Sequence, residues 1–287
     1  MQMQIVHLKG NTKKMQRIRR LSVALTVAGL LGVAVPAAAS ALSTITISGA
    51  TASYPLVSLL ANKYVKLHPH KVKFKIAQGG AQVGVNDVAA GRVTIGDVSR
   101  DPIFGTDPAG LVFYPIAKYG ICVVTNKGNP VSNLTSSQLI NIFTGKTRSW
   151  SGIPGASQSG TIDLVSRTSV AGVLTNFQTL LLEGKKVASV ASEQPSEGLM
   201  RQAVESDPAS IGFISNYQAD KGGVHVASVN GVTCTRSTVA SGQYQGVARF
   251  YEVTKGKATG AASAFIGWIT HSKAARKIVS TQWVPVT

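Results

Sequence analysis

One stretch near the start of the chain changes its periodicity at a glycine turn, and this change restricts the fold more than any other feature. Residues 44–47 alternate threonine with isoleucine, as in a half-buried strand, whereas apolar residues between Leu56 and Tyr64 recur at helical spacing. Gly49 and Thr51 lie between the two patterns. A helix that begins directly after a strand points its unpaired N–H groups at the edge of the sheet, where anions bind. The alternative is an ordinary strand-to-helix turn that Thr51 caps.

The same succession of strand, turn and helix occurs again further along the chain. Residues 71–76 read as a second strand, 78–84 as a second glycine turn, and 85–90 as a helix. A third strand is predicted at 93–98. Strands that alternate with helices predict an α/β fold with mainly parallel sheets. Ligands of such sheets lie beyond the carboxyl ends of the strands, where all three turns are expected.

The first 41 residues have the organisation of a cleaved export signal. Six basic residues precede an apolar run at 21–35, and the small residues Ala39-Ser40-Ala41 follow. The apolar run is shorter than the roughly 20 residues of a spanning helix, and no later segment reaches that length. We therefore expect an exported, periplasmic or extracellular protein that begins near Leu42 and has no transmembrane segment. An uncleaved anchor is the alternative.

The net charge is strongly positive with or without this signal. The chain carries 29 Lys and Arg against 12 Asp and Glu; without residues 1–41 it keeps 23 basic and all 12 acidic residues, a net charge of +11. A basic exported protein attracts anionic partners, although the charge also serves solubility. The basic residues are scattered and aromatic residues are few, which argues against nucleic-acid binding.

The chain contains two cysteines, Cys122 and Cys234. An even number of cysteines in an oxidising compartment predicts one disulfide. A bond between them would close a loop of 112 residues. The alternative is a pair of buried free thiols.

The remaining chain continues the α/β pattern, with a crossing between domains near residues 120–125. The further predicted elements are strands at 111–116, 120–125, 162–166, 211–215, 224–229 and 248–253, and helices at 135–142, 173–182, 196–205, 261–269 and 274–278.

Several short motifs, in this order, resemble the phosphate-binding receptors of ABC-type uptake systems, within the type 2 periplasmic-binding-protein fold. The resemblance covers nearly the whole chain after residue 41. The motifs are Ile47-Ser48-Gly49-Ala50-Thr51, Gln78-Gly79-Gly80, Ile95-Gly96 with Ser99-Arg100, the residues 129–135 and 142–146 with Trp150, and the residues 207–213.

The resemblance implies two α/β lobes, each a mainly parallel sheet flanked by helices, with an oxyanion between them. The first lobe would comprise residues 42–118 and 224–287, and the second lobe residues 119–223. Hydroxyls, backbone amides and a guanidinium would surround the anion; a guanidinium suits an oxyanion because it donates two parallel charge-assisted hydrogen bonds. The ligand-binding candidates are Thr51, Ala52, Gln82, Ser99, Arg100, Arg167 and Gly172.

Two departures from the family pattern concern the ligand. Ala81 stands where many relatives have serine, and Val170-Ala171-Gly172-Val173 stands where they have Gly-Ser-Gly-Thr, so three hydroxyl donors are absent. Backbone amides of these turns remain, and Gln82, Ser169 and Ser196 are the candidate substitute donors. The resemblance also implies an acid that accepts a proton from hydrogen phosphate, for which Asp97 and Asp101 are the candidates. Arg100 has an alternative role as the partner of one of these two acids, and Arg167 as the partner of a surface acid.

The leading hypothesis is a monomeric solute-binding protein for phosphate or a related oxyanion, with an ABC permease as partner. It needs no cofactor, and no His, Cys or carboxylate cluster has the spacing of a metal site. A secreted cell-surface or matrix protein of the same fold with a degenerate anion site is the alternative. A secreted hydrolase is disfavoured because the chain has no G-x-S-x-G elbow and few acids, so we expect no enzyme.

Overall fold

The structure is a computed structural model that describes residues 42–286. The predicted export signal, residues 1–41, lies outside the described residues. Within 42–286, no helix combines the length and apolar character that a membrane crossing requires.

Ten strands occur in the described part of the chain. They are β1 (Ser43–Gly49), β2 (Val72–Gln78), β3 (Ile95–Val98), β4 (Leu111–Asn126), β5 (Asn133–Leu134), β6 (Asp163–Arg167), β7 (Ser192–Gln194), β8 (Ser210–Ser215), β9 (Val224–Val229) and β10 (Val247–Lys255).

Nine helices occur among the same residues. They are α1 (Tyr54–Leu67), α2 (Ala81–Ala89), α3 (Ser136–Phe143), α4 (Gly172–Leu180), α5 (Glu197–Ser206), α6 (Asn216–Ala219), α7 (Arg236–Ser241), α8 (Gly260–His271) and α9 (Lys273–Gln282).

The strands form a continuous mixed sheet in the order β2-β1-β3-β10-β4-β8-β6-β7, with β9 beside β4 and β5 beside β9. Pairing is parallel towards both ends of this order, whereas β10 and β4 pair antiparallel with their neighbours. β4 joins the two parts: nine of its first ten residues pair with β10, and its last six pair with β8 and β9. Such a long central strand gives the two halves of the sheet one common element.

The predicted change from strand to helix occurs between β1 and α1. Gly49 ends β1 with a φ of 148°, and a Cβ there would lie 1.9 Å from the Asp97 carbonyl oxygen. Only glycine fits this close approach of β1 to β3. α1 follows, with Pro55 in its first turn, where a missing N–H costs no hydrogen bond.

The structure differs from the sequence prediction in two of the longer elements. α2 begins at Ala81 instead of residue 85, because Gly80 takes a positive φ of 103° and turns the chain into the helix at once. The strands predicted at 111–116 and 120–125 are one strand, β4. Its pairing with β10 skips Ile116 next to Pro115, a bulge that accommodates a residue without an N–H.

The short elements β5, β7, α6 and α7 were not predicted. Each has two to six residues. Such segments are too short to show the apolar periodicity of a helix or of a strand, so they cannot be recognised from sequence.

The predicted disulfide is present between Cys122 and Cys234, with an S–S distance of 2.09 Å. It joins the middle of β4 to the segment between β9 and α7. Both half-cystines are buried. The bond therefore fixes the return of the chain from β9 against the central strand.

We predict that the double substitution Cys122→Ala with Cys234→Ala lowers the free energy of unfolding by about 4 kcal/mol, because a loop of 112 residues is then no longer closed in the unfolded chain. Urea unfolding of the variant, compared with the oxidised wild type, measures this difference. The reduced wild type is the control and should match the variant. Equal unfolding midpoints for the oxidised wild type and the variant would contradict the prediction.

Candidate functional site

A narrow cavity, closed so tightly that it leaves no room for a water molecule, lies where several strand-to-helix turns meet. Its walls come from the turn before α1, the start of α2, the end of β3, the end of β6 and the start of α4. The residues are Ala50, Thr51, Ala52, Gly80, Ala81, Ser99, Arg167, Ala171, Gly172 and Val173. Five of the seven predicted ligand-binding residues are among them: Thr51, Ala52, Ser99, Arg167 and Gly172.

Three helices begin at this cavity, and none has a side-chain cap. The residues at the N-caps of α1, α2 and α4 are Ser53, Gly80 and Ala171, and none of their side chains accepts a hydrogen bond from the helix. No acidic residue lies in the first turn of any of the three. First-turn N–H groups and positive dipole ends therefore converge on one place.

Arg167 provides the full positive charge of the cavity wall. Its side chain is 1% exposed. Nε donates to the Gln194 carbonyl at 2.9 Å, and Nη2 donates to the Pro195 carbonyl and to Thr51 Oγ1, both at 3.0 Å. Nη1 is buried and, among the described residues, has no hydrogen-bond partner. The guanidinium is thus held on two sides while one nitrogen keeps its donors free.

A buried carboxylate, Glu197, lies behind Arg167. Burial lowers the pKa of Arg167, and the charge of Glu197 acts in the opposite direction. Burial also raises the pKa of Glu197, against the effects of Arg167 and of two hydrogen bonds from Ser215, N–H at 3.0 Å and Oγ at 2.5 Å. Glu197 is not among the site residues predicted from sequence; its sequence signal is an acid at the first position of a helix, directly after the capping Ser196.

The two sides of the cavity approach each other closely. Gln82 N–H donates to the Val170 carbonyl at 3.0 Å, beside the contact between Arg167 and Thr51. A Cβ at Gly172 would lie 2.7 Å from Ser99 Oγ and 2.9 Å from Ala81 Cβ. Glycine at this position lets the start of α4 reach the other wall.

The structure does not place Arg100 or Gln82 among the cavity residues. The Arg100 guanidinium, 2% exposed, forms two hydrogen bonds with the Asp107 carboxylate at 2.6 and 2.9 Å, and Nη2 also donates to Gln82 Oε1 at 3.0 Å. Its contact with Asp101 is to the main-chain carbonyl. Arg100 is therefore held by an acid, as one alternative expected, but that acid is Asp107.

Neither proposed proton acceptor lines the cavity. Asp97 accepts a hydrogen bond from Ser53 Oγ at 2.5 Å, and its neighbour across the sheet is Glu252. Asp101 accepts from Tyr251 Oη at 2.6 Å, away from the cavity walls. Within residues 42–286, no group of His, Cys, Asp and Glu has the arrangement of a metal site.

The chain matches one protein family and is similar to several of its members. A family model described as a PBP superfamily domain matches residues 34–273. The phosphate-binding protein PstS of Bacillus subtilis strain 168 is 30% identical over 246 residues, which cover 85% of this chain and 81% of that protein.

Two solved structures are also similar. A Clostridium perfringens protein, assigned to the substrate-binding proteins of phosphate ABC transporters and solved with bound phosphate, has a TM-score of 0.79 and 29% identity, covering 85% of this chain and 100% of that one. The ABC-type phosphate transport receptor of Vibrio cholerae has a TM-score of 0.70 and 26% identity, covering 84% and 99%.

We predict that Asp107→Asn lowers the free energy of unfolding by about 3 kcal/mol at pH 7, because it leaves the buried Arg100 charge without its partner. Burial acts to raise the pKa of Asp107, but hydrogen bonds from Arg100 and the Ile103 N–H outweigh it and hold the pKa below its usual value. This stabilisation is therefore present at neutral pH and is lost as the pH falls through the lowered pKa.

Urea unfolding at pH 7 measures the effect. Glu183→Gln is the matched control, because it removes one member of an exposed ion pair with Lys185 and should cost less than about 1 kcal/mol. Equal losses in the two variants would contradict a structural role for the buried pair.

Proposed function

We propose, from the premise that this chain belongs to the PBP superfamily, that it is an exported solute-binding protein that captures phosphate or a related oxyanion for ABC-type uptake. The relatives named above bind or transport phosphate according to their descriptions, and each match covers more than four fifths of this chain. The fold is the two-lobed α/β fold of type 2 periplasmic binding proteins that the sequence predicts.

One observation carries the proposal: a buried guanidinium with an unpartnered donor lines a cavity at which three helices without side-chain caps begin. A buried polar group without a partner is costly, and a buried charge more so. Arg167 Nη1 has no partner among the described residues, and Arg167 lines the cavity. An anion in the cavity would accept from Nη1 and interact favourably with the three helix dipoles at once.

In this proposal two hydroxyls would add hydrogen bonds to the anion. Thr51 Oγ1 accepts from Arg167, so its own O–H remains available to donate into the cavity. Ser99 is fixed through its carbonyl, which accepts from Tyr119 Oη at 2.8 Å and Asn176 Nδ2 at 2.9 Å. These side chains would complement the amides of Ala52 and Gly172.

The missing hydroxyls at Ala81, Ala171 and Val173 leave backbone N–H groups as donors in those turns. Each hydrogen bond to a charged group contributes roughly 1.5 to 3 kcal/mol, so a weaker affinity than in relatives with all three hydroxyls follows. The retained guanidinium, hydroxyls and helix starts favour a functioning anion receptor over the alternative of a matrix protein with a degenerate site.

Binding would operate by closure of two lobes, residues 42–118 with 224–287 and residues 119–223. Thr51 and Gln82 belong to the first set, and their partners Arg167 and Val170 to the second. An anion that bridges the two sets shifts the population towards the closed form. β9 pairs with the second part of β4 and Cys234 is bonded to Cys122 there, which favours a return to the first lobe only at β10 instead of at residue 224.

In this proposal the protein is a receptor and not an enzyme, and it acts as a monomer. Its partner is the permease of an ABC transporter, which would detect the closed form. Export to the periplasm or the cell exterior fits both the predicted signal in residues 1–41 and the relatives' role in uptake.

We predict that titration calorimetry of ligand-stripped protein detects phosphate binding with a dissociation constant in the micromolar range or below. Arg167→Gln should weaken it by about 100-fold, because charge-assisted hydrogen bonds contribute roughly 1.5 to 3 kcal/mol each. Thr51→Val should weaken binding by about tenfold, because it removes one hydroxyl donor.

Arg148→Gln is the control, since Arg148 is exposed and bonds the Gly145 carbonyl far from the cavity walls. It should bind like the wild type. Titration with sulfate under the same conditions tests the choice between oxyanions. Binding of neither anion by folded wild-type protein would refute the proposed function.

A further inference from the structure

Two buried carboxyl groups lie behind the cavity and take no part in the binding described above. Asp97 on β3 and Glu252 on β10 are directly opposite each other in an antiparallel pair, so their side chains project from the same face of the sheet. Asp97 is 2% exposed and Glu252 is 0% exposed. Both carboxyl oxygens of Glu252 are buried and have no partner among the described residues.

Asp97 holds both ends of the turn that lines the cavity. Its main-chain carbonyl accepts from the Ala50 N–H at 2.9 Å, and its carboxyl accepts from Ser53 Oγ at 2.5 Å. The two residues between these contacts, Thr51 and Ala52, are cavity residues. One side chain and its own carbonyl therefore fix the position of the first cavity turn.

We propose that Asp97 and Glu252 are positioning residues that are both protonated in mild acid, hold the turn before α1 in place, and weaken anion binding in the cavity when the pair loses a proton and becomes negative. The proposal rests on the proposed function, because it concerns the anion that binds in the same cavity. Neither carboxyl group contacts the anion in this proposal.

Within residues 42–286, no cation neutralises this pair. Asp97 lies between Gly49 on β1 and Glu252, and Glu252 lies between Asp97 and Tyr114 on β4. Ser53 faces Asp97 from the start of α1. α8 packs against β1 and β4 and contains no charged residue before its last, His271, whose ring bonds its own helix.

α2 also packs against β1, β3 and β10, and its one acid has other partners. On α2, Asp87 bonds Ser48 and Arg92. Two ionised carboxylates in this environment would be buried without compensation, so the pair must retain a proton near neutral pH.

The pKa values of both carboxyl groups are shifted in the direction that their burial requires. Burial raises the pKa of Asp97 to about 7, against the hydrogen bond from Ser53. Burial, and then the charge of Asp97, raise the pKa of Glu252 above its usual value. The pair is therefore neutral in mild acid and gains a negative charge as the pH rises.

That charge would arise close to the anion. Asp97 precedes the cavity residue Ser99 by two positions, a distance of roughly 7 Å along an extended chain. A unit charge within about 10 Å of an anion, at an effective dielectric constant of about 20, changes the affinity by about tenfold or more. Ionisation of the pair should therefore lower the affinity for phosphate.

We predict a pH-dependent difference between the wild type and the double variant Asp97→Asn with Glu252→Gln, which keeps the acceptor for Ser53 but cannot ionise. Their dissociation constants for inorganic phosphate should agree within about twofold at pH 5. At pH 8.5 the variant should bind about tenfold more tightly. Phosphate changes its own ionisation over this range, but that change is common to both proteins and cancels in the ratio.

Asp163→Asn is the matched control. Burial and the charge of Asp207 also raise the pKa of Asp163, but this residue begins β6, whereas Arg167 ends it. The ratio of its dissociation constant for phosphate to that of the wild type should stay near one at every pH. The two single variants, Asp97→Asn and Glu252→Gln, replace the double variant if the latter does not fold.

An infrared titration without phosphate tests separately whether the Asp97 and Glu252 carboxyl groups are protonated. The wild type should show a protonated carboxyl band near pH 6 that the variants lose and that the Asp163 control retains. A ratio of dissociation constants that is flat between pH 5 and pH 8.5, or a missing band, overturns the proposal. A wild type that binds no phosphate at any pH refutes the proposed function and the effect on binding, while the band still decides whether the pair holds a proton.

Discussion

The burial of the Arg167 guanidinium is the constraint on which the cavity depends. A charge taken out of water must be compensated, and the fold supplies two carbonyls, a threonine hydroxyl and the charge of Glu197. These partners fix the orientation of the side chain but leave Nη1 without one among the described residues. Arg167 lines the same cavity as three helix starts that have no side-chain cap and no acid in the first turn.

A second buried arginine shows the contrast. Arg100 is as deeply buried as Arg167, but the Asp107 carboxylate binds it with two hydrogen bonds, and Gln82 adds a third. Its charge is neutralised within the first half of the chain and needs no ligand. Arg100 thus holds the loop after β3 in place, whereas Arg167, in the proposed function, would provide the charge for an anion.

The sequence predicted the features that depend on local pattern. The change of period at Gly49 located β1 and α1, and an even number of cysteines in an exported chain predicted the disulfide. Partners that depend on long-range packing were not accessible in this way. The path of the loop after β3 decides that Asp107 binds Arg100, and a lone Glu252 within a strand gives no indication that it faces Asp97. In a sequence, a buried acid cannot be distinguished from a solvated one until the strand order is known.

The position of a bound oxyanion decides whether Arg167 is its ligand, and a crystal structure of the protein grown with phosphate would show that position. Phosphate should occupy the cavity with one oxygen about 3 Å from Arg167 Nη1 and others within hydrogen-bond distance of Thr51 Oγ1 and the first N–H groups of α1 and α4. Phosphate bound elsewhere on the molecule, or Nη1 satisfied by a protein group in the phosphate-bound crystal, would contradict the central claim.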